Sequence, residues 1–223
     1  MQPLTQYTPK PLLEAGGKTL IEAHIERLSD AGISDIIINT GRLGHQFENK
    51  LGNGKRYGVN LRYAHEGDEP LETGGAIVNA LPLFDDDFFI AVNGDIWTDY
   101  DFTKLTQQTK HHCHLVLVSN PEHNPQGDFA FNHGNISNTG QQRYTFSGIA
   151  VYGRALFDKT GHPVSRGSDL SPPNKERVVF SVAPLLRQAI DKQQASAELY
   201  TGNWFDIGTP QRLAELDQWL KNL

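Results

Sequence analysis

Three short groups of residues have types and spacing that could carry chemistry. Asp95 follows the apolar run Phe88-Phe89-Ile90-Ala91-Val92 through Asn93-Gly94, and Asp206 sits within Asn203-Trp204-Phe205-Asp206-Ile207-Gly208-Thr209. Two aspartates brought together at a sheet edge suit Mg²⁺, a hard ion that takes oxygen ligands and bridges phosphates. Taken singly, each is a turn or cap residue. Lys10 stands between prolines in Thr8-Pro9-Lys10-Pro11-Leu12. Its restricted backbone can present a point charge to phosphate oxygens, or simply a solvated lysine. Pro70-Leu71-Glu72-Thr73-Gly74-Gly75-Ala76 puts two glycines at a helix start. There a ligand can approach the backbone and an anion is favoured, although a plain helix entry reads the same way.

Other groups suggest less. Asp99 and Asp101 are expected to cap the element that follows. His111, His112 and His114 spread around a helix end and a strand start, so a solvated cluster is expected rather than a metal site. There is no dinucleotide fingerprint and no Walker sequence.

The elements that position these groups alternate. Thr19–Ala31 has apolar residues on one helical stripe, with Thr19 and Glu22 spaced as a capping box and Gly32 as the stop. Residues 35–40 read as a buried strand, 43–51 as a short helix and 60–64 as a strand. A helix runs from Glu72 to about Leu81. Residues 88–92 read as a strand buried on both faces, 103–109 as a helix and 114–118 as a buried strand. This alternation predicts an α/β chain with a doubly wound, mostly parallel sheet. After Asn120 the turns become Gly/Asn-rich, and antiparallel strands are expected at 128–131 and 144–152. Residues 161–177 read as an exposed loop and 182–192 as a helix. Residues 197–200 and 203–207 read as a short hairpin, and Thr209-Pro210 starts a last helix.

Composition narrows the class. The chain has 223 residues, net charge −6 and one cysteine, Cys113. Scattered basic residues weigh against a nucleic-acid partner, and no apolar run approaches a bilayer span. A lone cysteine excludes an internal disulfide, and Cys113 is expected to be a packing residue. With no signal peptide at the first residues, a reduced cytoplasm is the expected location.

Taken together, Pro3-Leu4-Thr5 through Leu12, Leu71 to Gly75, Val92 to Asp95 and Trp204 to Thr209 resemble the sugar-1-phosphate nucleotidyltransferases, in that family's order and over nearly the whole chain. Gly94 to Tyr100, Gly127-Asp128-Phe129, Thr145 to Ile149 and Ala183 to Arg187 are most similar to a uridylyltransferase branch that serves cell-wall sugar recycling. A guanylyltransferase branch acting on mannose 1-phosphate is the nearest competitor. The resemblance implies a Rossmann-like sheet of the nucleotide-diphospho-sugar transferase type in one domain. Its nucleotide part would cover about residues 1–120 and its sugar part about 121–223. It also implies that a sugar 1-phosphate attacks the α-phosphate of a nucleoside triphosphate and pyrophosphate leaves. Asp95 and Asp206 would hold Mg²⁺, and Lys10 would neutralise phosphate charge. Glu72, Thr73, Gly74 and Gly75 would shape the base and ribose pocket, with Gly94 under the ribose. Asp128, Thr145, Ser147 and Gly148 would lie on the sugar side. The implied partners are these small molecules, with no nucleic acid or membrane, for a monomer or small homo-oligomer.

Three departures stand beside the resemblance. Family members open with a strand and a Gly-rich loop before Pro-Leu-Thr. Here Met1 stands where that loop ends, so a domain truncated at its N-terminus is expected. A non-catalytic sugar-nucleotide-binding relative is the alternative this favours, against which Lys10, Asp95 and Asp206 argue. Loop 161–177 is longer than expected for the uridylyltransferase branch, and Ser181 stands where that branch has lysine.

Overall fold

The computed structural model describes residues 1, 3–108, 110–158 and 178–223. Loop 161–177 therefore lies outside the described residues. In chain order the elements are β1 (Glu14–Ala15), β2 (Lys18–Thr19), α1 (Leu20–Asp30), β3 (Asp35–Thr40), α2 (His45–Leu51), β4 (Asn60–His65), α3 (Glu72–Ala80), β5 (Phe88–Val92), β6 (Ile96–Thr98), β7 (Cys113–Val118), β8 (Phe129–Asn132), β9 (Asn135–Ser137), β10 (Arg143–Gly153), α4 (Ala183–Asp191), β11 (Ala195–Leu199), β12 (Trp204–Asp206) and α5 (Pro210–Lys221). They form two compact units.

The first unit comprises Met1–Glu69, Asn93–Thr103 and Gly202–Leu223. It holds a β1–β2 hairpin, a parallel β3–β4 pair and an antiparallel β6–β12 pair. Helix α1 forms where its stripe predicts. Leu20, Ile21, His24, Ile25 and Leu28 are buried, and the Thr19–Glu22 capping box closes its start. One face of α1 packs with Leu12, Ile38, Phe47 and Leu61. Leu20 joins a second cluster with Trp97, Ile207 and Leu216.

The second unit comprises Pro70–Val92 and Lys104–Thr201. Its six-stranded mixed sheet runs β11-β7-β10-β8-β9, with β5 also on β10. The core is built on Leu81, Phe89, Leu115, Leu117, Tyr152, Phe157 and Leu186. Cys113 is buried and reduced at the start of β7, as a packing residue.

The α/β, mixed-sheet expectation holds, with four corrections. First, the pairings are less parallel than expected. β10 lies antiparallel between β5 and β7, and only β7–β11 is a parallel pair in this sheet. β10 arrives from the β8–β9 hairpin rather than through a crossover helix, so it enters reversed. Second, β11 and β12 are not a hairpin, because β11 extends the large sheet while β12 pairs with β6. Third, the expected helix at 103–109 is one 3₁₀ turn, Phe102–Leu105. Phe102 and Leu105 are buried. That i, i+3 spacing needs no longer helix. Fourth, β5 is not buried on both faces. Only Phe89 of its five residues is fully buried, and among the described residues β5 pairs with β10 alone.

Candidate active site

The two aspartates of the sequence reading meet on one ribbon. Asp206 is the cross-strand partner of Ile96, and the Ile207 N–H donates to the Asp95 carbonyl at 2.9 Å. Asp95 therefore sits in the turn just before β6, one register position from the Ile96–Asp206 pair. Aromatic packing fixes the ribbon on α5: Trp97 lies 5.9 Å from Phe205 and 5.2 Å from Trp219, centroid to centroid.

Each carboxylate has a cation. Lys10 Nζ donates to Asp95 Oδ2 at 2.8 Å, and Arg212 Nη1 donates to Asp206 Oδ2 at 2.9 Å. Lys10 opens a 3₁₀ turn, Lys10–Leu12, whose Pro11 packs on Gly94. A Cβ at Gly94 would come within 2.9 Å of the Pro11 ring, so this glycine lets the lysine turn lie against the Asp95 loop. Asp99 accepts from the backbone and side chain of Asn203, which ties the two strands together. Asp101 does cap, accepting the Thr103 N–H.

Arg212 was not legible as a site residue. Its one signal is an oddity: it sits in the first turn of α5, where the helix dipole disfavours a cation. Thr209 caps that helix as expected, accepting the Arg212 N–H.

His24 was also missed. The Ile96 carbonyl points away from β12, because the Ile96–Asp206 pair is the non-hydrogen-bonded kind. His24 Nε2 supplies the partner at 2.9 Å, so the proton is on Nε2. Its Nδ1 is buried with no partner among the described residues. Burial lowers the imidazole pKa to about 4, against a smaller upward pull from the Ile96 carbonyl; Arg27 lowers it and Asp95 raises it. The fold thus prefers neutral His24, while the unfolded chain takes up a proton below about pH 6.5. Above that pH His24 contributes no pH dependence. Between pH 6.5 and 4 it removes up to about 3 kcal/mol of stability as pH falls. Denaturant melts at pH 7.5, 5.5 and 4.5 check this. His24→Gln, which keeps a donor but cannot titrate, is expected to lose distinctly less stability on acidification, and parallel losses would refute the assignment.

The other predicted residues lie in the second unit. Glu72 opens α3 with φ +58, a left-handed conformation that is strained for a non-glycine residue. Gly74 and Gly75 both donate N–H to the Phe180 carbonyl, at 2.9 and 3.2 Å, and Thr73 Oγ1 accepts the Val182 N–H at 3.1 Å. In this structure the close backbone approach that the glycines permit is made by residues 178–180. Asp128, Thr145, Ser147 and Gly148 converge on an irregularity in β10, whose register shifts between Phe146 and Ile149. Asp128 Oδ2 accepts the Phe146 N–H, and Asn124 bridges Asp128 to Thr145. Ser147 bonds the Val116 carbonyl, and Gly148 takes φ +81. The histidine cluster is not uniformly solvated: His114 is buried and bonds Ser196 across the β7–β11 pair.

Among the described residues no group of three or more His, Cys, Asp and Glu is arranged to hold a metal. A pair of carboxylates would suit Mg²⁺, which keeps several waters and takes its remaining oxygens from substrate phosphates.

The chain belongs to the nucleotidyl transferase family, whose model matches residues 1–131. It is 41% identical over 223 aligned residues to the N-acetylmuramate alpha-1-phosphate uridylyltransferase of Neisseria meningitidis, covering 96% of this chain and 90% of that protein. It is 29% identical to the mannose-1-phosphate guanylyltransferase catalytic subunit beta of Drosophila melanogaster, over 95% of this chain but only 57% of that protein. A solved UDP-glucose pyrophosphorylase in complex with UDP-glucose superposes with TM-score 0.73 at 17% identity, over all of this chain and 94% of that one. The fold is thus that of nucleotide-diphospho-sugar transferases, and the activity class is sugar-1-phosphate nucleotidyltransferase. No helix among the described residues is long and apolar enough to cross a membrane.

Proposed function

We propose that this chain is a Mg²⁺-dependent uridylyltransferase that joins UTP and N-acetylmuramate α-1-phosphate, giving UDP-N-acetylmuramate and pyrophosphate in the cytoplasm. The observation that carries the choice of substrate is the 41% identity to the uridylyltransferase over 90% of that protein. The ribbon bearing Asp95 and Asp206 supports the chemistry. Phosphoryl-group transfer needs positioning and charge neutralisation rather than a covalent nucleophile. Magnesium held by Asp95 and Asp206 would supply that neutralisation when bound. Lys10, already beside Asp95, would carry positive charge toward the phosphate oxygens. By the family resemblance Glu72, Thr73, Gly74, Gly75 and Gly94 are assigned to the nucleoside. On the same ground Asp128, Thr145, Ser147 and Gly148 are assigned to the sugar phosphate. Their own bonds suggest that Asp128 and Ser147 act there by shaping β10.

A pyrophosphate-release assay across UTP, GTP, N-acetylmuramate 1-phosphate and mannose 1-phosphate tests the reading. UTP with the muramate is expected to exceed every other pair by at least about tenfold, which corresponds to 1.4 kcal/mol. A preference for GTP with mannose 1-phosphate would transfer the chain to the guanylyltransferase branch. Sugar-nucleotide binding without pyrophosphate release would make it a non-catalytic relative.

A further inference from the structure

Arg212 is the one site cation that the motifs do not explain. It lies at the third position of α5, behind the Thr209 cap and Pro210, where a positive charge opposes the helix dipole. Its partner is Asp206, at 2.9 Å, with the two side chains 29% and 25% exposed. Gly208 makes room for the pair. A Cβ there would stand 2.9 Å from Arg212 Nη1 and 3.4 Å from Asp206 Oδ2, and Gly208 does not have the positive φ that would otherwise demand glycine. An arginine placed against the helix dipole thus serves this contact, with Gly208 leaving open space beside its guanidinium.

Each of the two carboxylates thus already faces a cation of its own chain: Lys10 on Asp95 and Arg212 on Asp206. A divalent cation arriving at these carboxylates meets a guanidinium already seated on an Asp206 oxygen. We propose that Arg212 is a positioning residue that acts as the resident counter-ion of Asp206, that a divalent cation must displace it, and that it thereby weakens and tunes metal binding at the site. This rests on the reading of Asp95 and Asp206 as the metal carboxylates. It adds a residue that competes with the ion rather than one that binds it. Displacement would leave the guanidinium charge close to the ion, where the two repel.

The test is Mn²⁺ binding to the chelator-stripped full chain at low ionic strength, read from the electron paramagnetic resonance signal of free Mn²⁺, without substrate. Arg212→Gln is expected to tighten Mn²⁺ binding by about three- to tenfold, the range set by a partly exposed ion pair and by repulsion between two cations. Arg212→Lys, which keeps the charge, is expected to stay within about twofold of wild type. The gap between wild type and Arg212→Gln is expected to shrink at about 0.5 M salt as screening grows. Unchanged or weaker binding by Arg212→Gln would overturn the proposal. Asp95→Asn and Asp206→Asn separate the two readings. If neither lowers Mn²⁺ uptake, or no protein takes up Mn²⁺, the carboxylate metal site itself fails. If both lower it while Arg212→Gln matches wild type, only the role of Arg212 fails.

Discussion

Asp95→Asn is expected to lower turnover by at least about 10²-fold while leaving the fold intact, because one neutral amide replaces the charge that faces Lys10 and that the proposed Mg²⁺ would use. The substitution is isosteric. The Asp95 backbone keeps its bond from Ile207, so the β6–β12 ribbon should keep its register. The lost ion pair with Lys10 is partly open to water, at 29% and 37% exposure, and is worth less than about 1 kcal/mol of stability. Pyrophosphate release at saturating Mg²⁺ and a thermal melt on the same sample check both halves. Activity within about fivefold of wild type would remove Asp95 from the chemistry.

The second large effect is expected in the second unit. A Cβ at Gly75 would collide with the Val178 carbonyl oxygen, and would also lie 3.0 Å from the Leu71 Cβ. The obstacle is backbone, so relief means moving residues 178–180 off α3, with the loss of the bonds from Gly74 and Gly75 to Phe180. Overpacking of this kind costs about 1–3 kcal/mol, and the better helix propensity of alanine returns only about 1 kcal/mol. Gly75→Ala is therefore expected to be destabilised by about 1 kcal/mol, and by up to about 2, in urea melts. Gly74→Ala should lose less, because its Cβ meets the Phe180 ring, a side chain that can turn aside. A Gly75→Ala protein as stable as wild type would show that the contact with Val178 is not held in solution.

These two glycines mark where sequence reasoning reached its limit. Gly-Gly at a helix start correctly signalled a close backbone approach. It could not say that residues about a hundred positions later make one, because a glycine records the room it leaves and not what fills it. Ser147 is similar. Its hydroxyl and the left-handed Gly148 together carry the irregularity of β10, a role visible only once the register shift is known. The 197–207 hairpin failed for the opposite reason. Two short strands next to each other in the chain satisfied every local rule for a hairpin, yet each found a better-placed partner elsewhere.

The pattern of residues by itself determined the α/β class, the capped helices α1 and α5, and the aspartates and lysine worth testing. The class and the capped helices rest on local forces, periodicity and caps, while the aspartates and the lysine stood out through the motifs they share with a known family. Only the tertiary structure decided which groups those charges face. Whether a carboxylate is bare or already holds a cation depends on side chains distant in sequence, and no local rule places them. Lys10 reaches Asp95 across 85 positions, and His24 reaches the Ile96 carbonyl across 72. Arg212 is only six residues from Asp206, but it meets it because Thr209 starts a helix between them.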